Sequence, residues 1–154
     1  MRAKLVFESL NELRSFNQKK DPLSSLGVGQ RKLIEDWLDE MGVKNYTIND
    51  DLTINVEGHV DLSNRDLIRF PNYIKFNHIS GDFSCADNQL ISLKGCPTSI
   101  NPGFFNCKCN QLISLESWPS SVRGGYFFCR NNKIKFTKEY IKSLCKVLTT
   151  AIEC

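Results

Sequence analysis

The amino-acid sequence predicts an α/β solenoid: about four stacked coils with short parallel strands, a helical N-terminal region and a C-terminal capping helix. A motif of the form F-x-C-x-x-N occurs three times at a 22-residue period, starting at Phe83, Phe105 and Phe127. Apolar residues return at similar offsets after each asparagine. A period in the twenties with one recurrent asparagine is typical of solenoids, in which each coil buries its apolar face against its neighbours.

Length and composition limit the class of protein. The chain has 154 residues, of which 41% are hydrophobic, and a formal net charge of +3. That length suits one domain with a sizeable core, and the small charge does not by itself indicate a nucleic-acid partner. The apolar run Leu5–Phe7 stops at Glu8, too short for a secretion signal, and no stretch approaches the ~20 apolar residues of a membrane span. We therefore expect a cytoplasmic protein without a membrane contact.

The cysteines indicate core packing rather than cross-linking. There are seven, and Cys85, Cys107 and Cys129 occupy the same place in the repeat. An odd count and this regularity favour small buried thiols in a reducing compartment over a disulfide framework. The Cys107-Lys-Cys109 sequence could suggest zinc, but structural zinc sites use C-x₂₋₄-C pairs, and a strand would turn Cys107 inward. We expect free cysteines and no metal.

Residues 1–45 are predicted to form a helical N-terminal cap. Leu10–Phe16 has apolar residues three apart and suits a short helix, whereas Leu23–Gln30 contains two glycines and suits a connecting loop. A second helix should lie on the first coil and end at a C′ glycine. Its apolar face and that glycine are Leu33, Ile34, Trp37, Leu38, Met41 and Gly42.

Residues 46–136 are predicted to form the solenoid. Residues 46–56 alternate apolar and polar side chains, as a half-buried strand or hairpin does. A degenerate repeat follows, with Val60 in the phenylalanine place and Leu62 in the cysteine place, so the first of four coils is atypical. Side chains alternate in a strand, so phenylalanine and cysteine point inward. The amides of Asn88, Asn110 and Asn132 are expected to turn inward too and bond the backbone.

Residues 137–154 are predicted to form a C-terminal capping helix that completes one structural domain. Thr137 suits the N-cap, and Phe136 can pack against Ile141 in the first turns. Such a helix would cover the open end of the last coil, which would otherwise expose unpaired backbone. Its apolar face would be Ile141, Leu144, Cys145, Leu148 and Ile152.

These motifs resemble those of known repeat proteins. The coils resemble leucine-rich repeats over residues 56–136, with cysteine in place of the second strand leucine. The segments 1–10, 31–42, 46–56 and 81–90 also resemble small repeat proteins encoded by tailed bacteriophages. The resemblance implies a repeat fold and a bacterial host cytoplasm, and it implies no catalytic residue.

The outward positions of the strands should form a face that is polar and acidic at one end and aromatic and basic at the other. Coil by coil they are His59, Asp61 and Ser63; Asp82, Ser84 and Ala86; Phe104, Asn106 and Lys108; Tyr126, Phe128 and Arg130. Exposed aromatics beside arginine and lysine are typical of interface hot spots. The last six residues are therefore the predicted partner-binding site. Alternatively, the three aromatics pack on one another and merely cover backbone.

Motifs for catalysis are missing from the sequence. Residues 27–32 lack the G-x-x-x-x-G-K-[ST] arrangement of a phosphate loop, and no G-x-S-x-G elbow occurs. His59 and His78 have no partner at metal-ligand spacing. We expect no enzymatic activity and no cofactor.

The sequence leaves three functional hypotheses open. The first is a protein-binding module, encoded by a phage and acting on a host protein, including a defence component, or on another phage protein. The second is a structural role in a virion or a homo-oligomer. The third is single-stranded nucleic-acid binding, because residues 123–154 contain seven basic and two acidic residues beside Tyr126 and Phe128. We favour the first, and take the basic cap as a solvated end that keeps the solenoid soluble.

Overall fold

The computed structural model describes residues 22–144 and 151–154. These residues form a β-solenoid of about four turns with parallel strands and two helices. The helices are α1 (Pro22–Glu40) and α2 (Lys138–Leu144). The strands are β1 (Tyr46–Ile48), β2 (Ile54–Val56), β3 (Val60–Asp61), β4 (Phe76–Ile79), β5 (Phe83–Ser84), β6 (Ser99–Asn106), β7 (Ser121–Phe128) and β8 (Ile152–Glu153). The helix predicted for Leu10–Phe16 lies outside the described residues.

Each coil contributes to one or both of two parallel ladders, which share β6 and β7. The first ladder passes through β3, β5, β6, β7 and β8, and its aligned residues are Val60, Phe83, Phe105, Phe127 and Ile152. The second passes through β2, β4, β6 and β7, and it aligns Val56, Ile79, Ile100 and Val122. All of these side chains are buried in one core. The pairing of β3 with β5 confirms that Val60 takes the phenylalanine place in an atypical first coil.

A glycine lies at the bend between the ladders in four successive coils: Gly58, Gly81, Gly103 and Gly125. A Cβ atom added to Gly81 would lie 2.5 Å from the carbonyl oxygen of Gly58. A Cβ at Gly103 or Gly125 would likewise overlap the carbonyl oxygen of the glycine one coil earlier. The backbones of neighbouring coils therefore touch at this corner, and only glycine fits at the last three of these positions.

The repeat phenylalanines stack through the core. The ring centroids of Phe83 and Phe105 are 5.6 Å apart, and those of Phe105 and Phe127 are 5.4 Å apart, with nearly parallel planes. Cys107 is buried beside them, and burial raises the pKa of its thiol. The inward direction predicted for phenylalanine and cysteine is confirmed.

The repeat asparagines also turn inward, as predicted. The Nδ2 of Asn88 donates to the carbonyl oxygen of Leu62 in the preceding coil (2.8 Å) and to that of Cys85 in its own coil (3.0 Å). Its Oδ1 accepts from the backbone N–H groups of Arg65 and Leu67. Each such amide satisfies buried backbone groups of two coils at once, which explains why an apolar residue does not replace it.

Helix α1 is longer than predicted. It runs through Gly27 and Gly29, so the loop predicted for Leu23–Gln30 is wrong. Pro22 is tolerated because a first helical position needs no N–H donor, and each glycine costs about 1 kcal/mol, which packing of the later turns offsets. Leu33 is 51% exposed, so it does not belong to the buried face as predicted.

The C-terminal end of α1 and its packing on the first coil agree with the prediction from the sequence. The N–H of Val43 donates to the Leu38 carbonyl oxygen (2.9 Å), and Gly42 adopts a φ of 76°, which together form a Schellman cap. Trp37 meets Phe70 edge to face at 6.4 Å, so the helix covers the first coil as predicted. Within the described residues, neither helix combines the length and the apolar character needed to cross a membrane.

The N-terminal edge of the sheet is a hairpin. Strands β1 and β2 pair antiparallel, with Tyr46 facing Val56 and Ile48 facing Ile54. The guanidinium of Arg31 on α1 donates to the carbonyl oxygen of Ile48 at 2.8 Å. The helix is thereby fixed to the hairpin as well as to the first coil.

The C-terminal part differs from the prediction. Thr137 caps α2 as expected, since its Oγ1 accepts from the N–H of Tyr140 (3.2 Å). The prediction that Ile152 lies on a helix reaching residue 154 is wrong, because Ile152 belongs to β8, which pairs parallel with β7. The strand satisfies the open edge of the last coil: the N–H of Cys129 donates to the Glu153 carbonyl oxygen at 2.9 Å. Cys145 and Leu148 lie outside the described residues.

Candidate functional site

The ladder from β3 to β8 aligns three rows of residues that the sequence predicts to point outward. The rows are His59, Asp82, Phe104 and Tyr126; Asp61, Ser84, Asn106, Phe128 and Glu153; Ser63, Ala86, Lys108 and Arg130. The register thus brings all six predicted partner-binding residues onto two neighbouring coils. Ala86 differs from the prediction: it is 2% exposed, because the chain turns inward there toward Asn88.

Three aromatic rings meet on the outer face of β6 and β7. Phe104 and Phe128 contact edge to face with centroids 5.9 Å apart, and Tyr126 stacks on Phe128 at 5.8 Å. Phe104 and Phe128 are half-buried, whereas Tyr126 is 52% exposed. The two phenylalanines therefore cover each other and the sheet, while one large ring still presents half of its surface to solvent.

Two cations border the aromatic rings. Lys108 and Arg130 hold the same place in successive coils, which sets their backbones about 4.8 Å apart. In the described part of the chain, neither forms an ion pair with a carboxylate. Asn106 has a local role, since its Oδ1 accepts from the N–H of Lys108 (3.2 Å) and ends the strand. This end of the face therefore combines exposed aromatic surface with unneutralised positive charge.

The opposite end of the face is bonded within the chain. The Oδ2 of Asp82 lies 3.0 Å from the Nδ1 of His59, and its Oδ1 accepts from the backbone N–H of Phe104 at 3.0 Å. The hydroxyl oxygens of Ser63 and Ser84 are 2.7 Å apart. These contacts hold successive coils together. The acidic end of the face therefore stabilises the solenoid and offers fewer groups to which a partner could bind.

A second exposed apolar row escaped the sequence analysis. Ile68, Ile91 and Ile113 are 54%, 46% and 61% exposed, at the same place in three successive coils. The signal was present, because each isoleucine follows a repeat leucine at the 22- to 23-residue period. Leu90 and Leu112 are buried, and Leu67 is partly buried. The row lies in the return segments of the coils, outside the strands that carry the aromatic rings.

Few side-chain contacts among the described residues resemble those of a catalytic site. His78 Nδ1 lies 2.8 Å from the Ser99 hydroxyl oxygen, across neighbouring strands of the second ladder. A serine nucleophile also needs a group that orients the histidine and donors for an oxyanion, and no carboxylate contacts His78 among the residues the structure describes. The same part of the chain holds no cluster of three or more His, Cys, Asp or Glu side chains suited to a metal ion.

Comparisons with models of protein families, with curated proteins and with solved structures give no match to this chain.

Proposed function

We propose that this chain is a non-enzymatic protein-binding module that holds its partner on the outer face of β6 and β7. The binding residues are Phe104, Asn106, Lys108, Tyr126, Phe128 and Arg130. One observation carries the proposal: a half-exposed tyrosine stacked on a phenylalanine stands beside two cations without a carboxylate partner in the described chain. Aromatic and arginine side chains in such an arrangement are enriched at the centres of protein interfaces.

The rigidity of the face supports the proposal. Phe104, Asn106, Tyr126 and Phe128 all lie within β6 or β7, which pair along most of their length. A backbone held by paired strands does not have to become ordered when a partner covers it, which lowers the entropic cost of binding. The face can thus form an interface without first folding.

The sequence resemblance supplies the setting of the proposal. We take the solenoid to be leucine-rich-repeat-like, with cysteine filling the second strand position. On that basis the chain is encoded by a phage and acts in the bacterial cytoplasm. Its partner is then a host protein, such as a defence component, or another phage protein. The competing functions are a structural role in a virion or homo-oligomer and single-stranded nucleic-acid binding.

The test is affinity capture from phage-infected host lysate with immobilised protein. The wild type is compared with a Phe104→Ala/Tyr126→Ala/Phe128→Ala variant and with a matched control, Ile68→Ala/Ile91→Ala/Ile113→Ala. The control removes exposed apolar side chains from a different surface, on the first three coils, whereas the aromatic rings lie on the third and fourth. Circular dichroism and thermal unfolding first establish that both variants are folded.

We expect one captured protein to be lost with the aromatic variant and retained with the isoleucine control. Its affinity, measured with the purified partner, should fall at least about tenfold in the aromatic variant. Equal capture by all three proteins would remove this face from consideration. Recovery of the chain itself would support the homo-oligomer, and binding that is lost steeply with salt and with nuclease would support nucleic acid.

A further inference from the structure

Strand β8 supplies a fifth copy of the strand motif. Ile152 aligns with Phe127, and Glu153 aligns with Phe128. The next residues in this register are Cys154 and Cys129, so Cys154 takes the repeat cysteine place one coil further on. The sequence Ile152-Glu153-Cys154 carries the apolar-x-Cys pattern of the earlier coils, 25 residues after Phe127.

This register places two thiols side by side on adjacent parallel strands. Neighbouring strands lie about 4.8 Å apart, which falls within the Cα separation of about 4.4–6.8 Å that a disulfide spans. The backbone N–H of Cys129 donates to the carbonyl oxygen of Glu153 at 2.9 Å, which fixes the alignment next to the pair. Both thiols are free.

The pair also has access to solvent. Cys129 and Cys154 line a cleft of about 270 Å³ together with Arg130, Lys135 and Phe136. Cys129 is 1% exposed and Cys154 is half-buried, so a small oxidant meets Cys154 first. Among the described cysteines, this is the one aligned pair with a partly exposed member.

Each of the other described cysteines lacks access to solvent or an aligned thiol partner. Cys85, Cys96 and Cys107 are buried. Cys109 is half-buried, but its place in the neighbouring coils is taken by Asp87 and Asn131, so no thiol is aligned with it. Cys109 therefore serves as an internal control for exposure without a partner.

We propose that Cys154 and Cys129 form an oxidation site, at which a peroxide converts the thiol pair into a disulfide that fastens β8 to β7. This inference is independent of the proposed partner-binding function. In the first step the Cys154 thiolate attacks one oxygen of the peroxide, an S–O bond forms, the O–O bond breaks, and with hydrogen peroxide one water is released. In the second step the Cys129 sulfur attacks the sulfenic sulfur of Cys154, an S–S bond forms, the S–O bond breaks, and the leaving hydroxide takes the proton of the Cys129 thiol to become the second water. The protein loses two electrons and two protons, and the peroxide is reduced.

The environments of the two thiols fit these roles. Burial, and then the neighbouring Cys154 thiol, raise the pKa of Cys129. Burial also shields Cys129 from a free oxidant, so Cys154 is oxidised first and Cys129, aligned beside it, is the residue that resolves the sulfenic acid. The disulfide would close a loop of about 25 residues, which restricts the unfolded chain.

The test treats the reduced full chain with hydrogen peroxide and maps tryptic peptides without reduction. Cleavage separates the relevant thiols, because 124–130 contains only Cys129, 147–154 only Cys154, 109–123 only Cys109, and 143–146 only Cys145. We expect 124–130 linked to 147–154, with a rise in Tm of about 5–10 °C. Cys154→Ser should abolish both changes, and Cys109→Ser should leave both intact.

A second variant tests the separate roles of Cys154, which is oxidised first, and Cys129, which resolves the sulfenic acid. In Cys129→Ala, dimedone should trap a sulfenic acid on 147–154, and no intramolecular disulfide should form. A linkage of 147–154 to 143–146, a dimer joined through Cys154, or a wild-type chain that shows no 124–130 linkage would each overturn the proposal. If Cys129→Ala does not fold, the comparison of wild type with Cys154→Ser and Cys109→Ser still decides it.

Discussion

The side-chain Nδ2 of Asn110 donates a hydrogen bond to the backbone carbonyl oxygen of Cys85, 25 residues earlier and one coil away, at 3.0 Å. The same amide donates to the Cys107 carbonyl oxygen at 3.2 Å, and its Oδ1 accepts from the N–H of Leu90 at 2.9 Å. Asn110 is 3% exposed. One side chain therefore satisfies buried backbone groups on two coils and holds them together.

Replacing Asn110 should destabilise the solenoid strongly. Asn110→Ala leaves the buried Leu90 N–H without this acceptor and removes one of the two amide donors to the Cys85 carbonyl, so we expect a loss of about 3 kcal/mol in the free energy of unfolding. Urea denaturation measures the loss. The adjacent exposed Gln111 is the control, and Gln111→Ala should change stability by less than about 0.5 kcal/mol. Equal effects of the two substitutions would contradict the bridging role.

The glycine corner gives a second prediction. Gly125→Ala would press a methyl group against the carbonyl oxygen of Gly103, so the last two full coils must separate. We expect a loss of at least about 3 kcal/mol or a failure to fold. Gly29→Ala is the matched control, since a Cβ there meets nothing within 4 Å and the residue lies inside α1. That change should stabilise by about 0.5–1 kcal/mol in thermal unfolding, because alanine favours a helix.

Cys109 occupies a backbone conformation that suits asparagine better. Its φ is 53°, and the residues at the same place in the other coils are Asn64, Asp87 and Asn131, all with φ between 53° and 57°. Asparagine and aspartate tolerate this left-handed region more easily than other side chains. We expect Cys109→Asn to raise the free energy of unfolding by about 0.5–1 kcal/mol, and the β-branched Cys109→Val to lower it. The opposite order in urea titration would refute the argument.

The two faces of β6 and β7 should respond differently to truncation. Tyr126→Ala removes a half-exposed ring and should cost less than about 1 kcal/mol of stability, whereas Phe105→Ala empties a site that is 0% exposed and should cost about 3–5 kcal/mol. Differential scanning calorimetry on both variants measures the contrast. A large loss at Tyr126 would mean that this ring serves the fold, and the binding proposal would lose its carrying observation.

Much of the solenoid could be predicted from the printed residues because its contacts repeat. A 22-residue period forces equivalent residues of successive coils to face one another, so Phe83, Phe105 and Phe127 had to stack, and the repeat asparagines had to meet the same backbone groups. The caps of both helices could be predicted for a similar reason. Thr137 and Gly42 act on backbone groups within a few residues of themselves.

Predictions failed where distant contacts outweigh local preference. Gly27 and Gly29 suggested a loop, yet the packed turns around Trp37 sustain a helix through them. Ile152 fits a helical stripe by spacing, yet the open edge of β7 offers backbone hydrogen bonds that only a strand can complete.

The sequence by itself determined the repeat, its core and the six outward side chains of the candidate face, because alternation along a strand and the repeat period are local properties. Only the tertiary structure decided how much of Tyr126 stays exposed, which cations lack a carboxylate in the described chain, and that Cys154 lies beside Cys129. Those properties depend on which coils become neighbours. No single segment carries that information, because it arises when coils separated by more than twenty residues stack.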